Sequence, residues 1–402
     1  MAAEENTQTQ PAITKDTGAD YDRIINSADL ESLYILRRTA VTYFLKMNNL
    51  SAVVFEDSEE RREPSLRYLC GHPSDAILII AADGNSVLIP WDENLARERA
   101  HAGKIIPFTK YNRKNTTAVR EVLKKLNAGS RPSVEIPPAT SYPLFLEYVS
   151  ELEGWDVKCR TNSTHDFVVH QRSVKDDYEI ACTRKAAAIT SYMTDEIEKM
   201  LRNGKISCEI DVALFIEKEL RMQGCERTGF DTLAAGPERS FAIHAFPGYT
   251  GSEWGTRGLS ILDYGVVFNG YTSDATITIA RGPLTKEQQK QIETIQYVFD
   301  TVKPLYAAGQ GIRAASEKAD ALFAKSKVSM PHGLGHGIGL EIHEEPFVSK
   351  KTDAKALFKP GMIVTLEPGL YDPKTGGCRL ENDILICDEG NVQITNSRII
   401  TL

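Results

Sequence analysis

The pattern of hydrophobic and polar positions changes near residue 172, and this change predicts two domains. Upstream of it, a helical stretch covers about residues 27–47. Short apolar runs typical of β-strands follow, at residues 52–55, 76–80, 86–90, 104–107 and 155–158. The second and third of these runs flank Asp83-Gly84, a dipeptide that favours a hairpin turn. The sequence therefore predicts an N-terminal α/β domain over residues 21–172, preceded by a polar, disordered tail over residues 1–20.

Residues 173–402 show a different pattern, in which amphipathic helices alternate with paired strands. Apolar residues recur every three or four positions from Cys182 to Met200, which predicts one buried helical face ending at Asn203-Gly204. We expect a second helix from about residue 208 to 223, with Ser207 as its N-cap. Thr285 and Gln288 form a capping box for a third helix. The remaining predicted elements are a helix over 312–325 and strands over 362–367 and 378–386.

Composition excludes several classes of function. The chain of 402 residues carries 47 basic and 55 acidic side chains, so its net charge of −8 disfavours nucleic-acid binding. Its apolar runs are too short to span a membrane, and the first residues lack the apolar core of a signal peptide. The seven scattered cysteines never form CxxC, which argues against a zinc ribbon and a disulfide framework. We expect a cytoplasmic protein that binds neither nucleic acid nor membrane.

Two aspartates lie inside otherwise apolar strands around a hairpin signal. If Asn269-Gly270 forms the turn, Asp263 pairs with Thr276 and Gly265 pairs with Asp274. Strand alternation then places both aspartates on one face as diagonal neighbours. Carboxylates that close repel each other, and a divalent cation between them removes the repulsion. The alternative is that one aspartate only caps a turn.

A glycine-rich stretch carries three histidines, His332, His336 and His343. Its glycines argue against a helix, despite the four-residue spacing of the first two histidines. Glycines suit a backbone that passes close to a ligand or metal ion. A single histidine is more often structural than a ligand, but three in one such loop favour a functional site.

Two glutamates complete the pattern near the end of the chain. Glu367 follows an apolar strand in TLEPG, and Glu381 lies in RLEND, two positions after Arg379. Residues two apart in a strand share a face, so Arg379 and Glu381 point the same way. Taken separately, these residues could equally be a strand-end glutamate and a surface ion pair.

Together these residues suggest a centre for two divalent cations. Four carboxylates and one imidazole balance the charge of two such ions, and an oxygen-rich donor set with one nitrogen favours Mn, Fe, Co or Zn over copper. Two ions about 3.5–4 Å apart can activate a shared water molecule. The five candidate ligands are Asp263, Asp274, His336, Glu367 and Glu381.

The motifs LDYG, TSDAT, HGLGHGIGLEIHE, TLEPG and RLEND resemble those of the pita-bread metallopeptidases, which include methionine aminopeptidase, aminopeptidase P and prolidase. The resemblance covers residues 173–402. The additional N-terminal domain is similar to that of the proline-specific branch. The resemblance implies an α/β N-terminal domain followed by an α+β pita-bread catalytic domain. It also implies hydrolysis of Xaa-Pro bonds in di- or oligopeptides, and a homodimer.

The resemblance also implies roles for individual side chains. The five ligands would hold two cations, manganese first, with cobalt, iron or zinc as alternatives. Glu367 would also shuttle a proton. His244 would lie near the leaving group or the bound carbonyl, His332 would contact substrate and His343 would stabilise the tetrahedral intermediate. Arg379 would orient the neighbouring glutamate ligand.

Three functions remain open from sequence alone. The first is an Xaa-Pro dipeptidase or aminopeptidase. The second is a metal-dependent hydrolase or lyase of the same fold that acts on a non-peptide substrate. The third is a non-catalytic binding protein, although relatives of that kind lose ligands and every ligand position is intact here.

Overall fold

The computed structural model describes residues 20–126 and 132–402. These residues form two units, Ser27–Arg172 and Ser173–Leu402, and the short segment before Ser27 groups with the second unit. The predicted tail over residues 1–20 lies outside the described residues, apart from its last residue. Across the part of the chain that the structure describes, no helix has the length and apolar character needed to cross a membrane.

The first helix, α1 (Tyr21–Ser27), corrects the predicted start of the N-terminal domain. We assigned residues 21–26 to that domain, but they belong to the second unit. Two contacts with Lys185 accompany this grouping. The Asp22 carboxylate lies 3.2 Å from Lys185 Nζ, and the same ammonium group lies 5.1 Å from the centre of the Tyr21 ring.

The unit Ser27–Arg172 is built on a mixed sheet with strand order β4-β3-β2-β1-β5-β6 among its described residues. The strands are β1 (Ala52–Asp57), β2 (Ala76–Ala81), β3 (Ser86–Pro90), β4 (Lys104–Ile105), β5 (Ser133–Glu135) and β6 (Asp156–Lys158). The helices are α2 (Leu30–Met47), α3 (Pro64–Cys70), α4 (Glu93–Arg99), α5 (Asn115–Leu123), α6 (Tyr142–Glu151) and α7 (Thr164–Arg172), with a 3-10 turn at Phe108–Tyr111.

The predicted hairpin in this unit is confirmed. Strands β2 and β3 pair antiparallel from Ala76↔Pro90 to Ile80↔Ser86, and Gly84 takes a positive φ of 96° in the turn between them. The predicted strand over residues 104–107 is shorter, because the chain turns into a 3-10 helix directly after Pro107.

Four longer helices organise the second unit: α8 (Asp177–Arg202), α9 (Glu209–Met222), α10 (Lys286–Val302) and α11 (Ile312–Lys325), with a 3-10 turn at Lys303–Leu305. The predicted capping box of Thr285 and Gln288 is confirmed. The predicted N-cap Ser207 is wrong, because Cys208 takes that place with extended backbone angles. Backbone carbonyls of the segment after residue 249 accept the first amides of α9 instead.

The strands of the second unit are short and numerous. They are β7 (Arg227–Thr228), β8 (Leu233–Ala235), β9 (Gly258–Tyr264), β10 (Val266–Phe268), β11 (Tyr271–Thr272), β12 (Ala275–Arg281), β13 (Gly335–Gly337), β14 (Glu344–Val348), β15 (Ile363–Leu366), β16 (Gly369–Asp372), β17 (Gly376–Arg379), β18 (Asn382–Ile386), β19 (Asn391–Gln393) and β20 (Ile399–Thr401). Within the described residues they pair as β20-β12-β9-β8, β14-β13-β15-β18-β19, β11-β10-β7 and β16-β17.

One strand prediction here is wrong and one pairing prediction holds. The predicted strand over 378–386 is two strands, β17 and β18, which belong to different sheets. The register around Asn269-Gly270 is as predicted at Asp263↔Thr276. The predicted partners Gly265 and Asp274 fall at the break between the two paired segments of this hairpin.

Apolar faces of the helices pack on one side of these sheets, and the polar strand residues lie on the other side. Helices α8 and α9 pack against one face of β9 and β12, through side chains such as Met193, Leu262 and Ile277. Helices α10 and α11 pack against β15 and β18. Because strand side chains alternate, Asp263 points away from the face that Leu262 buries against α8 and α9. The polar residues therefore converge between the two helix-covered regions.

Candidate metal centre and active site

Three of the five predicted ligands already form a tight cluster. One ligand atom each from Asp274, His336 and Glu381 lies within 4.8 Å of the others, and all three residues are buried. Strand β13 supplies His336, whose Nε2 lies 3.7 Å from an Asp274 carboxylate oxygen. An isolated β-bridge between Thr276 and Glu381 joins the segment after β17 to β12. Three separate stretches of sequence therefore meet at one point.

The other two predicted ligands border this cluster. Glu367 Oε1 lies 3.4 Å from His336 Nε2. Asp263 shares a sheet face with Thr276, its cross-strand partner. Its Oδ2 accepts a 2.5 Å hydrogen bond from Arg379. The structure thus brings together all five residues that the sequence singled out.

Two buried carboxylate oxygens without hydrogen-bond partners show whether cations fit this cluster. Among the described residues, Oδ1 of Asp263 and Oδ1 of Asp274 are buried and have no hydrogen-bond partner. A buried carboxylate oxygen without a partner is costly, since it has lost water and gained nothing in return. Divalent cations would satisfy both atoms, and hard oxygen donors are the ligands that such cations prefer.

Burial and mutual repulsion of the acids also favour bound cations. Burial raises the pKa of the Asp274 carboxyl well above its ordinary value, and the charges of Glu381 and Asp263 raise it further. Burial, followed by Glu367 and Asp263, likewise raises the pKa of Glu381. Burial raises the pKa of Glu367 to about 8, against the opposing charge of Arg379. Without cations these acids cannot all ionise together near neutral pH.

His336 is arranged as a neutral nitrogen donor. Its Nδ1 lies 3.2 Å from the carbonyl oxygen of Gly337, so an N–H there leaves Nε2 as a bare lone pair. Burial first, and then the neighbouring His343, lowers the pKa of His336 to about 4. The bare Nε2 faces the oxygens of Asp274 and Glu367, so once these acids ionise their lone pairs meet that of Nε2 unless a cation lies between them.

A chain of hydrogen bonds runs from Arg379 to His332. The buried Arg379 donates to the Tyr371 hydroxyl at 2.7 Å, and that hydroxyl lies 3.0 Å from His332 Nε2. His332 Nδ1 lies 2.8 Å from the Gly333 carbonyl, which fixes the N–H on Nδ1 and lets Tyr371 donate to Nε2. Burial lowers the pKa of His332 to about 4, so the ring is neutral.

His244 and His343, which were predicted to act on the substrate, are both exposed at the mouth of the site. The ring centres of His343 and His336 lie 4.3 Å apart. Both exposed histidines line a cavity of about 520 Å³ that also contains the five candidate ligands, His332 and Arg379. Aromatic side chains border it as well, with Phe246 almost fully exposed. The cavity is large enough to hold a short peptide.

Several residues that contact the candidate ligands or Arg379 were not predicted from the sequence. Thr276 donates to Glu381 at 2.6 Å and accepts from Arg379, and its place opposite Asp263 in the hairpin could have revealed it. Thr365 accepts the His336 amide at 3.0 Å and lies 3.4 Å from Glu367. Asp383 accepts the Asp274 amide at 3.0 Å. Nothing in the sequence pattern distinguishes Thr365 and Asp383 from ordinary buried polar groups.

Tyr371 is the fourth missed residue, and it has no signal in the sequence. It lies in the short strand β16, where a tyrosine reads as an ordinary strand residue. Only the approach of β16 to the glycine-rich histidine segment shows that its hydroxyl joins Arg379 to His332.

Proteins of similar sequence include several peptidases and dipeptidases. An uncharacterised peptidase, YqhT of Bacillus subtilis, is 37% identical over 231 residues, which are 56% of this chain and 63% of that protein. A putative dipeptidase of the same organism matches over 61% of its length, so these alignments span less than two thirds of either relative. An Xaa-Pro dipeptidase of Pyrococcus horikoshii is 28% identical over 88% of this chain and 95% of its own.

The fold is shared with solved structures. The Xaa-Pro dipeptidase from Bacillus anthracis superposes with a TM-score of 0.79 at 23% identity, covering 92% of this chain and 100% of that one. The expected architecture, an α/β N-terminal domain followed by a pita-bread domain, is confirmed. The sequence model of metallopeptidase family M24 matches residues 181–388, the segment that holds all five candidate ligands. The chain therefore belongs to metallopeptidase family M24, whose members use divalent metal ions.

Proposed function

We propose that this protein hydrolyses the peptide bond before proline in dipeptides, as an Xaa-Pro dipeptidase that holds two divalent cations. The observation that carries the proposal is the buried cluster of acids around Nε2 of His336, whose carboxyl groups must hold either protons or cations near neutral pH. The Pyrococcus relative that matches most of the chain is named for this activity. The ligands would be Asp263, Asp274, His336, Glu367 and Glu381.

When bound, the cations supply Lewis-acid activation of a water molecule and of the scissile carbonyl group. The protein contributes the geometry and the proton transfers. Glu367 Oε1 faces His336, whereas Oε2 faces His332 Nδ1 at 3.7 Å. One oxygen can therefore remain a ligand while the other takes a proton and returns it to the leaving proline nitrogen.

The exposed histidines complete the site from the cavity mouth. His343, whose ring lies against His336, would donate to the oxyanion that forms from the carbonyl. His244 would hold the substrate carbonyl or the leaving group on the other side. His332, whose pKa is lowered mainly by burial and whose Nε2 bonds to Tyr371, would contact the proline end of the substrate. Arg379 bonds to the carboxylate of Asp263 and not to the neighbouring Glu381, the ligand that the sequence led us to expect. It would therefore orient Asp263 directly and Glu381 through the hydroxyl of Thr276.

Three further features belong to the same proposal. Manganese fits the oxygen-rich donor set, with cobalt, iron or zinc as alternatives. A homodimer accords with the resemblance to the proline-specific branch, and light scattering coupled to size-exclusion chromatography measures it. A cytoplasmic location accords with seven cysteines that are all free thiols in the structure.

The decisive experiment compares Ala-Pro with Ala-Pro-Ala as substrates, with added Mn²⁺ and with chelator. We expect Mn²⁺-dependent cleavage of Ala-Pro alone. Glu367→Ala should lower kcat by roughly 100-fold or more, because general acid–base groups contribute about that much. The exposed Glu389, in the turn after β18, provides a matched control, and Glu389→Ala should leave turnover unchanged.

Each alternative gives a different result. Cleavage of the tripeptide would assign an Xaa-Pro aminopeptidase instead. Binding of two cations with no cleavage of either peptide would contradict the proline-peptidase proposal and favour a non-peptide substrate. Failure to bind divalent cations would leave only a binding protein.

A further inference from the structure

The segment that carries His244 has little apolar anchorage of its own. We call residues 236–250, between β8 and β9, the His244 loop. Within its outer part, residues 241–249, Ala245 is the buried residue, while His244 and Phe246 are exposed. Phe246 exposes 96% of its surface. Apolar anchorage of the outer part comes from Ala242 and Ala245, two small side chains that pack on Leu233 and Ile261. Polar contacts therefore have a large share in holding the loop.

A buried carboxylate at the start of α9 makes such contacts. The Glu209 side chain is fully buried. Its Oε1 accepts the Gly236 amide at 2.8 Å, at the beginning of the loop. Its Oε2 accepts the Thr250 amide at 2.7 Å and the Thr250 hydroxyl at 2.6 Å, at the end of the loop. One side chain thus ties both ends of the His244 loop to helix α9.

Arg239, a residue of the loop, supplies the positive charge that pairs with the Glu209 carboxylate. Arg239 donates through Nη1 to Glu209 Oε2 and through Nη2 to the carbonyl oxygen of Pro247. The guanidinium therefore joins the buried carboxylate to the outer part of the loop, three residues from His244. A planar fork suits this task, since its two nitrogens reach two fixed acceptors at once.

The Glu209 carboxylate accepts four hydrogen bonds. One comes to Oε1 from the Gly236 amide, and three come to Oε2 from Thr250 and Arg239. The backbone continues this junction, because the Glu209 amide bonds to the Ser252 carbonyl. A buried charge that is hydrogen-bonded in this way strongly favours one loop geometry.

A second anchor acts on the loop from the side of the metal centre. Arg379 donates to the carbonyl oxygen of Ile243 at 3.0 Å. The residue next to His244 is therefore bonded to the same arginine that holds Asp263. Glu209 bonds to both ends of the loop, and Arg379 bonds to its middle. Losing the Glu209 contacts should therefore loosen the loop, which then stays attached through Arg379.

We propose that Glu209 and Arg239 are positioning residues that hold the His244 loop, and with it the His244 ring, over the metal centre. Neither side chain lines the cavity, so both act through the loop. The proposal rests on the proposed function for the catalytic role of His244. The positioning of the loop is a separate matter that can be measured without turnover.

The test uses Glu209→Gln in the full-length, Mn²⁺-loaded protein. The amide cannot accept all four donors and carries no charge for Arg239. The matched control is Glu219→Gln on the same helix, where the partly exposed Glu219 contacts Gln223 one turn away. Turnover of Ala-Pro and hydrogen exchange of residues 241–249 are measured for both variants.

We expect three results for Glu209→Gln. Amides of residues 241–249 should exchange faster, while those of β9 and β12 stay protected. The value of kcat should fall about tenfold with little change in KM, as expected when a group that acts in the transition state is displaced. Combined with His244→Ala, Glu209→Gln should cost less than about twofold more than His244→Ala alone, because both changes remove the same contribution.

Several outcomes would overturn the proposal. Unchanged exchange in the loop would show that Glu209 does not hold it. Full additivity with His244→Ala would show that Glu209 affects turnover by another route. If Glu209→Gln does not fold, Arg239→Lys replaces it, since that side chain is partly exposed and lysine lacks the fork. If His244→Ala turns over normally, the role of His244 in the proposed function fails, and loop exchange alone then decides the positioning.

Discussion

At the scale of single residues, Arg379 connects the acids of the metal centre with the histidines of the cavity. It donates to Asp263, Thr276, Ile243 and Tyr371, and it is buried. The acids around it raise its pKa despite burial, so it stays charged. The guanidinium group therefore holds four groups in place: the carboxylate of Asp263, the hydroxyl of Thr276, the His244 loop at Ile243, and Tyr371, which bonds to His332.

Tyr371→Phe tests the last of these links. The change removes one oxygen and leaves His332 Nε2 without its donor. We expect kcat/KM to fall about tenfold, because the partly buried His332 ring loses the donor that orients it toward the substrate. The thermal unfolding midpoint should barely move. Tyr297→Phe, on the exposed side of α10, serves as control. An unchanged kcat/KM in Tyr371→Phe would exclude a role for this link.

At the scale of elements, a buried ion pair joins the segment before α8 to the start of β14. Lys175 Nζ lies 3.2 Å from Glu344 Oε2, and both side chains are almost fully buried. Glu344 Oε1 also accepts the Glu341 amide at 3.1 Å. Since His343 directly precedes Glu344, this pair anchors the backbone next to His343.

Lys175→Met should lower the free energy of unfolding by about 3–5 kcal/mol, because it leaves a buried carboxylate without its cation. Adding Glu344→Gln should restore part of that loss, since the amide is neutral and can still accept the Glu341 amide. Urea unfolding measures both variants. Lys185→Met, which breaks the exposed pair with Asp22, should cost less than about 1 kcal/mol. Equal losses in the single and double variants would contradict this account.

At the scale of the whole molecule, the second unit concentrates negative charge in one buried place. Asp274, Glu367 and Glu381 all have raised pKa values, and burial is the first cause in each. The folded protein without metal therefore binds protons more tightly than the unfolded chain does. Cations replace those protons, so metal binding and folding stability are linked.

This linkage predicts a pH dependence with a definite sign. The pKa of Glu367 rises from 4.5 to about 8 on folding, so chelated protein should lose stability as pH rises through that window. Asp274 and Glu381 act in the same direction. Mn²⁺ should restore stability most at pH 8, because it binds the ionised carboxylates. Urea midpoints at pH 5 and pH 8, with chelator or Mn²⁺, measure this. Chelated protein that is more stable at pH 8 would contradict it.

Local rules account for much of what could be predicted. The hairpin around Asn269-Gly270 follows from turn chemistry and strand alternation, and it places Asp263 opposite Thr276. The capping box at Thr285 follows from the spacing of two residues. Local rules failed where distant segments intervened. Strand 378–386 breaks at Glu381 because that residue bridges to Thr276, and Cys208 replaces Ser207 as N-cap because a distant segment satisfies the first amides of α9.

The sequence by itself determined the candidate donor set, because acids in apolar strands and histidines among glycines are costly to bury unless they are paired or bind a cation. Tertiary structure alone decided which neutral and charged groups surround that set. Tyr371, Thr365 and Glu209 look like ordinary strand or helix residues along the chain. Their roles arise from contacts across 29 to 41 residues of sequence, such as Tyr371 with His332, Thr365 with His336 and Glu209 with Thr250. A one-dimensional pattern records the spacing of neighbours, whereas a hydrogen bond between distant segments depends on how the sheets and helices pack.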